Sequence, residues 1–163
     1  MSVVGRVSPE PPAYRIGVGY DSHRLVPDRR LVLGGVTIPH DQGLAGHSDA
    51  DVLTHAVIDA LLGACGLGDL GSLFPSDEER WEGADSIDLL RIAVGRLTGR
   101  PVNVDATLIC ERPSLGSHRA EMERRLTEEL SAPVSVKATT NDGMGAIGRG
   151  EGIACVAVAL VET

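Results

Sequence analysis

The order and spacing of the apolar residues predict an α+β protein, a mixed β-sheet covered by helices on one face. Runs that alternate every second residue predict strands, and apolar residues three and four apart predict helices. Along the chain the order is strand, strand, helix, helix, strand, helix, strand, strand. No repeat or linker divides the 163 residues. We therefore expect one domain at residues 14–163, after a disordered leader at residues 1–13 that contains Pro9, Pro11 and Pro12.

The composition narrows the class of partner. A formal net charge of −8 opposes binding to a nucleic-acid backbone, and an aromatic content of 2% leaves too few rings to stack single-stranded bases. The apolar runs are too short to span a membrane, so we expect no membrane partner. Cys65, Cys110 and Cys155 have no metal-ligand or redox spacing, which predicts reduced thiols and a cytoplasmic protein. A phosphorylated small molecule is still compatible, because a metal and a few cations can reverse the field inside a pocket.

The chain is predicted to begin with two strands, at residues 14–20 and 31–38, joined by a polar turn. Within the second strand, Gly34-Gly35 indicates a bulge or a close backbone approach. Residues 39–46 are expected to form a loop. The first strand leads directly into Asp21-Ser22-His23, and a spacing of two on a strand places Asp21 and His23 on the same face.

An amphipathic helix is predicted over residues 48–63. Ser48 followed three residues later by Asp51 is an Asp variant of the capping box. His55 and Asp59 are four residues apart on one face, so Asp59 could accept a hydrogen bond from the imidazole nitrogen turned away from a metal. An acidic residue that merely lies near the helix end is an equally good interpretation of Asp59.

Asp21, His23 and His55 together offer a carboxylate and two imidazoles from separate elements. Three protein ligands with room for an exchangeable fourth are the form of a catalytic zinc site. The competing interpretation is that an Asp-x-His pair is common and that a helical histidine usually packs in the core or lies on the surface. The spacing alone leaves both interpretations open.

The second half of the chain begins with a glycine-rich loop at residues 66–71, followed by Phe74-Pro75. Glycines let a backbone approach a ligand, and Asp69 could bind hydroxyls, although most such loops are only turns. The remaining elements are predicted as helix 85–97, strand 102–110, helix 117–130, and strands 134–140 and 152–161. The last strand is apolar at nearly every position, so it needs cover on both faces.

Several stretches in this order resemble the 2-C-methyl-D-erythritol 2,4-cyclodiphosphate synthase family of non-mevalonate isoprenoid biosynthesis. The matching stretches are Arg15-Ile-Gly-x-Gly-Tyr-Asp-x-His23, Gly46-His-Ser-Asp-Ala-Asp51, His55-Ala-x-x-Asp-Ala-Leu-Leu-Gly63, Gly68-Asp-Leu-Gly71 with Phe74-Pro75, Val136-Lys-Ala-Thr-Thr140, and Gly148-Arg-Gly-Glu-Gly152. The resemblance runs from Tyr14 to the C-terminus. It implies a phosphorus-oxygen lyase that cyclises 4-diphosphocytidyl-2-C-methyl-D-erythritol 2-phosphate and releases CMP. It also implies a homotrimer with active sites shared between neighbouring chains.

The resemblance implies the following site. One zinc ion per chain lies on Asp21, His23 and His55, and a second divalent cation, Mg²⁺ or Mn²⁺, has Asp142 as its best oxygen ligand. His47 and Thr140 are catalytic hydrogen-bond donors to the phosphates, with His47 beside the N–H groups at the start of the helix. The substrate-binding residues are Ser48, Asp69, Leu70, Gly71, Phe74, Pro75, Ser76, Asp77, Glu78, Cys110, Glu111, Arg112, Pro113, Ser114, Leu115, Gly116, Thr139, Asn141, Asp142, Ala146 and Arg149. For Arg149, a structural or effector-binding role in the central cavity is at least as good an interpretation.

Three residues depart from the family pattern. Ala50 stands where glycine is usual, and Ser114 stands where lysine is common, which removes a phosphate contact. Ala146 replaces a large apolar residue beside the family's central cavity. Two other functions are also compatible with the motifs: a zinc phosphoesterase that uses water, and a non-catalytic trimeric module with structural zinc. The open three-ligand set speaks against the second, because structural zinc sites usually have four protein ligands.

Overall fold

The computed structural model describes residues 13–163. The predicted leader therefore lies outside the described residues, apart from Ala13. Five strands form one sheet in the order β4-β1-β7-β5-β6, and two short strands, β2 and β3, pair separately. The strand bounds are β1 Tyr14–Pro27, β2 Leu31–Leu33, β3 Val36–Ile38, β4 Gln42–Leu44, β5 Arg100–Ile109, β6 Val134–Thr139 and β7 Gly152–Glu162.

The sheet is mixed, as predicted. β7 lies at its centre and runs antiparallel to β1 on one side and to β5 on the other, whereas β5 and β6 are parallel. The β1–β7 register runs from Tyr14 opposite Glu162 to Arg24 opposite Gly152. Because the parallel pair β5–β6 requires a crossover, the chain between these strands forms a helix that packs on the sheet.

The prediction of a single strand at residues 31–38 is wrong. Gly34 and Gly35 have φ values of 58° and 70° and form the turn of a β2–β3 hairpin rather than a bulge. Two positive φ values in a two-residue turn match the twist of a hairpin, and glycine reaches them without strain. The predicted loop at 39–46 is also wrong in part, because it contains β4, which pairs with β1 from Leu25↔Leu44 onward. β1 itself continues to Pro27 instead of ending near residue 20.

The predicted helices are present, with altered ends. The helices are α1 Val52–Cys65, α2 Leu70–Leu73, α3 Ser86–Val94, α4 Arg119–Leu130 and α5 Gly145–Gly148, with short 3₁₀ turns at Glu79–Trp81 and Gly116–His118. α2 begins within the predicted glycine-rich loop at residues 66–71, and α5 was not predicted. The predicted cap at Ser48 is wrong, because Asp51 is the N-cap of α1 and its side chain accepts a hydrogen bond from the backbone of Thr54.

α1 packs directly on the backbone of β1. A Cβ atom at Gly17 or at Gly19 would lie 1.9 Å from the carbonyl oxygen of Ala60 or of Ala56. No side chain fits in that space, so both strand positions must be glycine for the helix to lie this close. Nearly every residue of α1 is buried as a result, and the helix forms the centre of the core.

The opposite face of the sheet carries exposed apolar side chains. On β1, Ile16 is 71% exposed and Val18 is 65% exposed, and Val158 of β7 lies opposite Val18. The helices therefore lie on one face of the sheet, as predicted. In residues 13–163, no helix is long and apolar enough to cross a membrane.

Candidate active site

Asp21, His23 and His55 converge at the contact between β1 and α1. Oδ2 of Asp21 lies 2.9 Å from Nε2 of His23 and 2.9 Å from Nδ1 of His55. The two histidine nitrogens are 3.4 Å apart. These are the only residues in the described part of the chain that form a group of three or more potential metal ligands.

Local sequence explains how the three side chains meet. Asp21 and His23 are two apart on β1 and project toward the helical face, beyond the two glycines that seat α1. His55 lies in the first turn of α1, where the buried Asp51 cap fixes the start of the helix. Both oxygens of Asp51 also accept hydrogen bonds from the hairpin turn, at 2.9 Å from the N–H of Gly34 and 2.7 Å from that of Gly35. The hairpin thus holds the helix in place along its axis.

Asp21 and His55 shift each other's pKa values. Burial of Asp21 acts to raise its pKa, but hydrogen bonds and charge from His23 and His55 outweigh burial and hold the pKa well below its usual range. Burial of His55 acts to lower its pKa, but the hydrogen bond and the charge of Asp21 outweigh burial and raise it above the ordinary value. Below the raised pKa of His55 the metal-free pair is therefore an ion pair, and a cation that binds here replaces the proton on His55.

The other nitrogen of His55 faces two serines. Its Nε2 lies 2.9 Å from Oγ of Ser86 and 3.1 Å from Oγ of Ser48. The predicted partner, Asp59, is not there: its Oδ1 accepts a hydrogen bond of 2.7 Å from the backbone of Leu70. Asp59 thus fixes the start of α2. Of the two interpretations of this residue, the one in which it accepts a hydrogen bond from His55 is wrong.

One cavity, which we call the metal-side cavity, has a volume of about 300 Å³. It is lined by the three clustered residues and by eight others: His47, Ser48, Leu70, Gly71, Phe74, Ser76, Trp81 and Leu89. Six of those eight are among the predicted catalytic and substrate-binding residues. Asp69 lies beside the cavity as the N-cap of α2, where its Oδ1 accepts hydrogen bonds from the N–H and the hydroxyl of Ser72.

His47 is an exposed member of this cavity. Its Nε2 is 3.4 Å from the carbonyl oxygen of Glu78. Like Asp69, the predicted residues Pro75, Asp77 and Glu78 are not among the cavity-lining residues. The predicted proximity of His47 to the N–H groups at the start of the helix is wrong, because α1 begins at Val52 and its first turn is capped by Asp51.

A second cavity, the nucleotide-side cavity, has a volume of about 600 Å³ and lies where β5 and β6 end. It is lined by Cys110, Glu111, Arg112, Pro113, Ser114, Leu115, Gly116, Arg119, Ala138, Thr139 and Thr140. All seven residues predicted as the nucleotide pocket, 110–116, are among them. Burial raises the pKa of the Cys110 thiol to about 11, so this side chain lines the cavity as a neutral thiol.

Three further predicted residues, Asn141, Asp142 and Arg149, lie next to the nucleotide-side cavity. Asn141 donates its backbone N–H to Glu111 at 2.6 Å, and Asp142, at φ 49°, accepts a hydrogen bond from Thr140. Arg149 pairs with Glu151 at 2.7 Å and lines a neighbouring pocket with Glu111 and Arg112. Ala146 lies elsewhere, in a small pocket shared with His23.

Five residues at these sites were missed from the sequence. Ser86, which is fully buried, contacts His55, while Trp81 and Leu89 line the metal-side cavity and Arg119 and Ala138 line the nucleotide-side cavity. The motif Asp85-Ser86 at the start of α3 carries a capping signal, and this is the only sequence feature that singles out Ser86. Its contact with a histidine 31 residues earlier depends on tertiary packing.

The three converging side chains fit a zinc ion. Four ligands placed tetrahedrally at Zn–N and Zn–O distances near 2.0–2.1 Å are about 3.4 Å from one another. The pairs in this structure, at 2.9, 2.9 and 3.4 Å, approach that spacing without rearrangement of the backbone. One carboxylate oxygen and two imidazole nitrogens also match the donor types that zinc prefers.

Comparison with known proteins gives a consistent result over the whole domain. The sequence model of the YgbB family matches residues 14–162. A 2-C-methyl-D-erythritol 2,4-cyclodiphosphate synthase of Salinibacter ruber is 56% identical over 91% of this chain and 99% of its own length. The protein of the same name from Symbiobacterium thermophilum is 57% identical over 90% of this chain and 97% of its own length.

Solved structures show the same fold. A 2C-methyl-D-erythritol-2,4-cyclodiphosphate synthase in a CDP-bound form superposes with a TM-score of 0.81 at 38% identity, over 90% of this chain and 99% of its own. A CDP complex from Plasmodium falciparum superposes with a TM-score of 0.78 at 32% identity, over 91% and 96% of the two chains. The bifunctional IspDF of Campylobacter jejuni gives a TM-score of 0.89 at 35% identity over 93% of this chain. The present chain spans 43% of the length of that bifunctional protein.

Proposed function

This chain belongs to the YgbB family of 2-C-methyl-D-erythritol 2,4-cyclodiphosphate synthases, and we propose that Asp21, His23 and His55 hold the metal ion of its cyclisation reaction. The observation that carries this proposal is the convergence of one carboxylate oxygen and two imidazole nitrogens at the edge of the metal-side cavity. One zinc ion is held per chain.

The reaction is an intramolecular phosphoryl transfer in isoprenoid precursor biosynthesis. The 2-phosphate of 4-diphosphocytidyl-2-C-methyl-D-erythritol 2-phosphate attacks the β-phosphorus of the diphosphate. The bond from the β-phosphorus to the bridging oxygen breaks, and CMP leaves with that oxygen. The attacking phosphate oxygen is already ionised near neutral pH, so the chain needs no general base. What the residues must supply is a folded substrate and compensation of its charge.

A zinc ion bound by Asp21, His23 and His55 would supply Lewis-acid polarisation of the β-phosphate. The second cation, Mg²⁺ or Mn²⁺, is assigned to Asp142, an exposed carboxylate at the end of β6 next to the nucleotide-side cavity. A hard cation with oxygen ligands suits a site shared with substrate phosphates. This assignment rests on the resemblance and on the position of Asp142.

The two cavities divide the substrate between them. His47 and Thr140 donate hydrogen bonds to the phosphates, one from the metal-side cavity and one from the nucleotide-side cavity. Ser48, Asp69–Gly71 and Phe74–Glu78 bind the methylerythritol end. Cys110–Gly116 bind the cytidine. Thr139–Asp142 and Arg149 contact the phosphates, and Ala146 is assigned to the substrate site beside the central cavity. The ion pair of Arg149 with Glu151 equally suits a structural role for this arginine.

The active chain is a homotrimer whose sites lie between neighbouring chains. The support is the exposed apolar face of the sheet, which Tyr14, Ile16, Val18 and Tyr20 of β1 form with Val156 and Val158 of β7. A second copy that packs on this face would remove it from water, in keeping with the apolar composition of obligate interfaces. The metal-side and nucleotide-side cavities of one chain share no lining residue, which is consistent with each site being completed by a neighbour.

We extend the proposal to the cellular compartment in which the protein acts. Cys65, Cys110 and Cys155 are all free, and burial raises the pKa values of Cys110 and Cys155, so these two thiols are inert. A reduced, cytoplasmic environment suits such a protein.

The test is product analysis in ¹⁸O-labelled water. The purified protein, with zinc and magnesium, is incubated with the cytidyl substrate, and the products are identified by mass. Cyclisation gives the cyclic diphosphate and CMP without ¹⁸O in either product. A phosphoesterase would give a linear product with one solvent oxygen incorporated into the cleaved phosphate, and that result would overturn the proposal. A protein that binds zinc but leaves the substrate unchanged would instead be the non-catalytic module.

A further inference from the structure

The hydrogen bonds on the far side of His55 form a chain that ends on a carboxylate. Oγ of Ser86 lies 2.9 Å from Nε2 of His55 and is hydrogen-bonded in turn to Oδ1 of Asp49. Oδ2 of Asp49 also accepts the backbone N–H of Ser86 at 3.1 Å. The carboxylate of Asp49 therefore holds both the backbone N–H and the hydroxyl group of Ser86.

The chain of donors has one direction. An ionised carboxylate only accepts hydrogen bonds, so the hydroxyl hydrogen of Ser86 points to Asp49. The oxygen of Ser86 is then free only to accept, and the group that faces it, Nε2 of His55, must carry its hydrogen. This leaves Nδ1, on the side of Asp21 and His23, as the nitrogen whose lone pair can bind a metal.

Ser48 cannot impose the same order. Its Oγ lies 3.1 Å from Nε2 of His55 and accepts the backbone N–H of Ala50 at 3.2 Å. Within residues 13–163 its own hydrogen has no carboxylate partner, so it can be turned toward or away from the imidazole. Of the two serines that contact His55, only Ser86 is tied to a fixed acceptor.

The packing of α3 against the segment before α1 holds the hydrogen-bonded residues His55, Ser86 and Asp49 in place. Ser86 is the first residue of α3, and the N–H of Asp49 donates to the carbonyl oxygen of Ala84 at 3.1 Å. Ser86 is fully buried and His55 is 5% exposed, so water does not compete for these hydrogen bonds. The start of α3 is thus attached to the segment that leads into α1, directly behind the metal ligand.

We infer that Ser86 and Asp49 are positioning residues for metal binding: they orient His55 and fix the tautomer that presents Nδ1 to the metal. This inference rests on the proposed metal site. It adds two residues outside the ligand set, and it assigns the order in which they act, with Asp49 acting through Ser86. Hydrogen-bond partners of metal-bound histidines commonly change metal affinity by about tenfold to a hundredfold when removed.

The test measures zinc affinity by competition with a chromophoric chelator in wild type, Ser86→Ala, Asp49→Ala and the double variant. We expect each single variant to bind zinc about tenfold to a hundredfold more weakly. The double variant should be no weaker than Ser86→Ala alone, because Asp49 acts through Ser86. Ser72→Ala is the matched control: it removes another serine–aspartate hydrogen bond, one that does not involve His55, and should leave zinc affinity unchanged.

A spectroscopic readout separates positioning from general loss of stability. In protein loaded with Co²⁺, the visible absorption spectrum reports the geometry of the ligands, and we expect Ser86→Ala to change this spectrum. Thermal unfolding of the metal-free variants is measured in parallel to compare their stability. Wild type that binds no zinc would overturn the metal site and this inference together. Wild type that binds zinc, with Ser86→Ala equal to it in affinity and Co²⁺ spectrum, would overturn the inference alone. Additive losses in the double variant would overturn the assigned order.

Discussion

Nδ1 of His55 lies 2.9 Å from Oδ2 of Asp21, across a helix–strand contact that leaves no room for a side chain on the strand. Gly17 and Gly19 provide that contact, since a Cβ on either would lie 1.9 Å from a helix carbonyl oxygen. The ligand geometry is therefore set by two residues that carry no functional group. Any increase in the β1–α1 distance would separate His55 from both of its partners.

Replacement of Gly19 by alanine should disrupt the metal site from a distance. The added methyl group must push α1 away from β1, and overpacking of this kind costs about 1–3 kcal/mol of unfolding free energy. We expect zinc content to fall together with stability. The matched control is Gly63→Ala in α1, where nothing lies within 4 Å of the added Cβ. That variant should keep its zinc and gain about 0.5–1 kcal/mol. Equal zinc content in both variants would contradict the proposed role of the close contact.

The start of α1 gives a second prediction about stability. Asp51 is fully buried and accepts four hydrogen bonds: from Gly34, Gly35, and the N–H and hydroxyl of Thr54. Asp51→Ala leaves these buried donors unpaired, so we expect a loss of about 3 kcal/mol or more in urea unfolding. The control is Asp85→Ala, which removes an exposed N-cap from α3 and should cost about 1 kcal/mol. Similar losses for the two variants would show that Asp51 is only a helix cap.

These two regions show which parts of the site the sequence can predict. Asp21 and His23 follow from strand periodicity, whereas the close approach of α1 to Gly17 and Gly19 was not predicted. The Gly34-Gly35 pair carried a hairpin signal, but the apolar β-branched residues on both sides favoured one continuous strand. The contact of Ser86 with His55 has no local signal, because it joins the starts of two helices 31 residues apart in sequence. The sequence therefore predicts which residues share a face of one strand or helix, but it does not predict which residues of separate elements come into contact.

The pH dependence of the metal-free protein follows from the coupled pair. The pKa of His55 is raised above its ordinary value of 6.5, so its protonation favours the folded state. This contribution is fully present below pH 6.5 and is lost as the pH rises through the raised folded value. The pKa of Asp21 is lowered from its ordinary 3.8, so its contribution is present above that pH and is lost as the pH falls through the lowered value.

We therefore expect the melting temperature of metal-free protein to decrease as the pH rises above 6.5, and His55→Ala to flatten this slope. Zinc affinity should change in the opposite direction over the same range, because zinc competes with the proton on His55. Melting curves with and without zinc, from weakly acidic to weakly alkaline pH, measure both effects. A metal-free slope that is the same in wild type and His55→Ala would contradict the ion pair.

The two histidines near α1 should differ in what they control. His55→Ala removes a proposed ligand, so elemental analysis should find that most of the zinc is lost, with the protein still folded. His47→Ala should keep zinc near the wild-type level of one per chain while turnover falls about tenfold to a thousandfold, as expected for one lost transition-state donor. Zinc loss in His47→Ala would make His47 a ligand and overturn the assigned set. Full turnover with full zinc would leave it no catalytic role.

Complementation between variants tests whether the sites are shared. His23→Ala damages the metal side and Asp142→Ala damages the nucleotide side, so each variant alone should be nearly inactive. If every site combines the metal side of one chain with the nucleotide side of its neighbour, chains mixed at equal amounts form intact sites at a frequency of about one quarter. Activity near a quarter of wild type is then expected, once native mass spectrometry has verified subunit exchange.

The control is the His23→Ala/Asp142→Ala double variant, mixed with an equal amount of wild type that has undergone the same exchange. Its random trimers also form intact sites at a frequency of about one quarter if the sites are shared, but one half if each site lies within one chain. Exchange without recovery in the first mixture, together with half activity in the second, would place the whole site in a single chain. The exposed apolar face of β1 and β7 would then require another explanation.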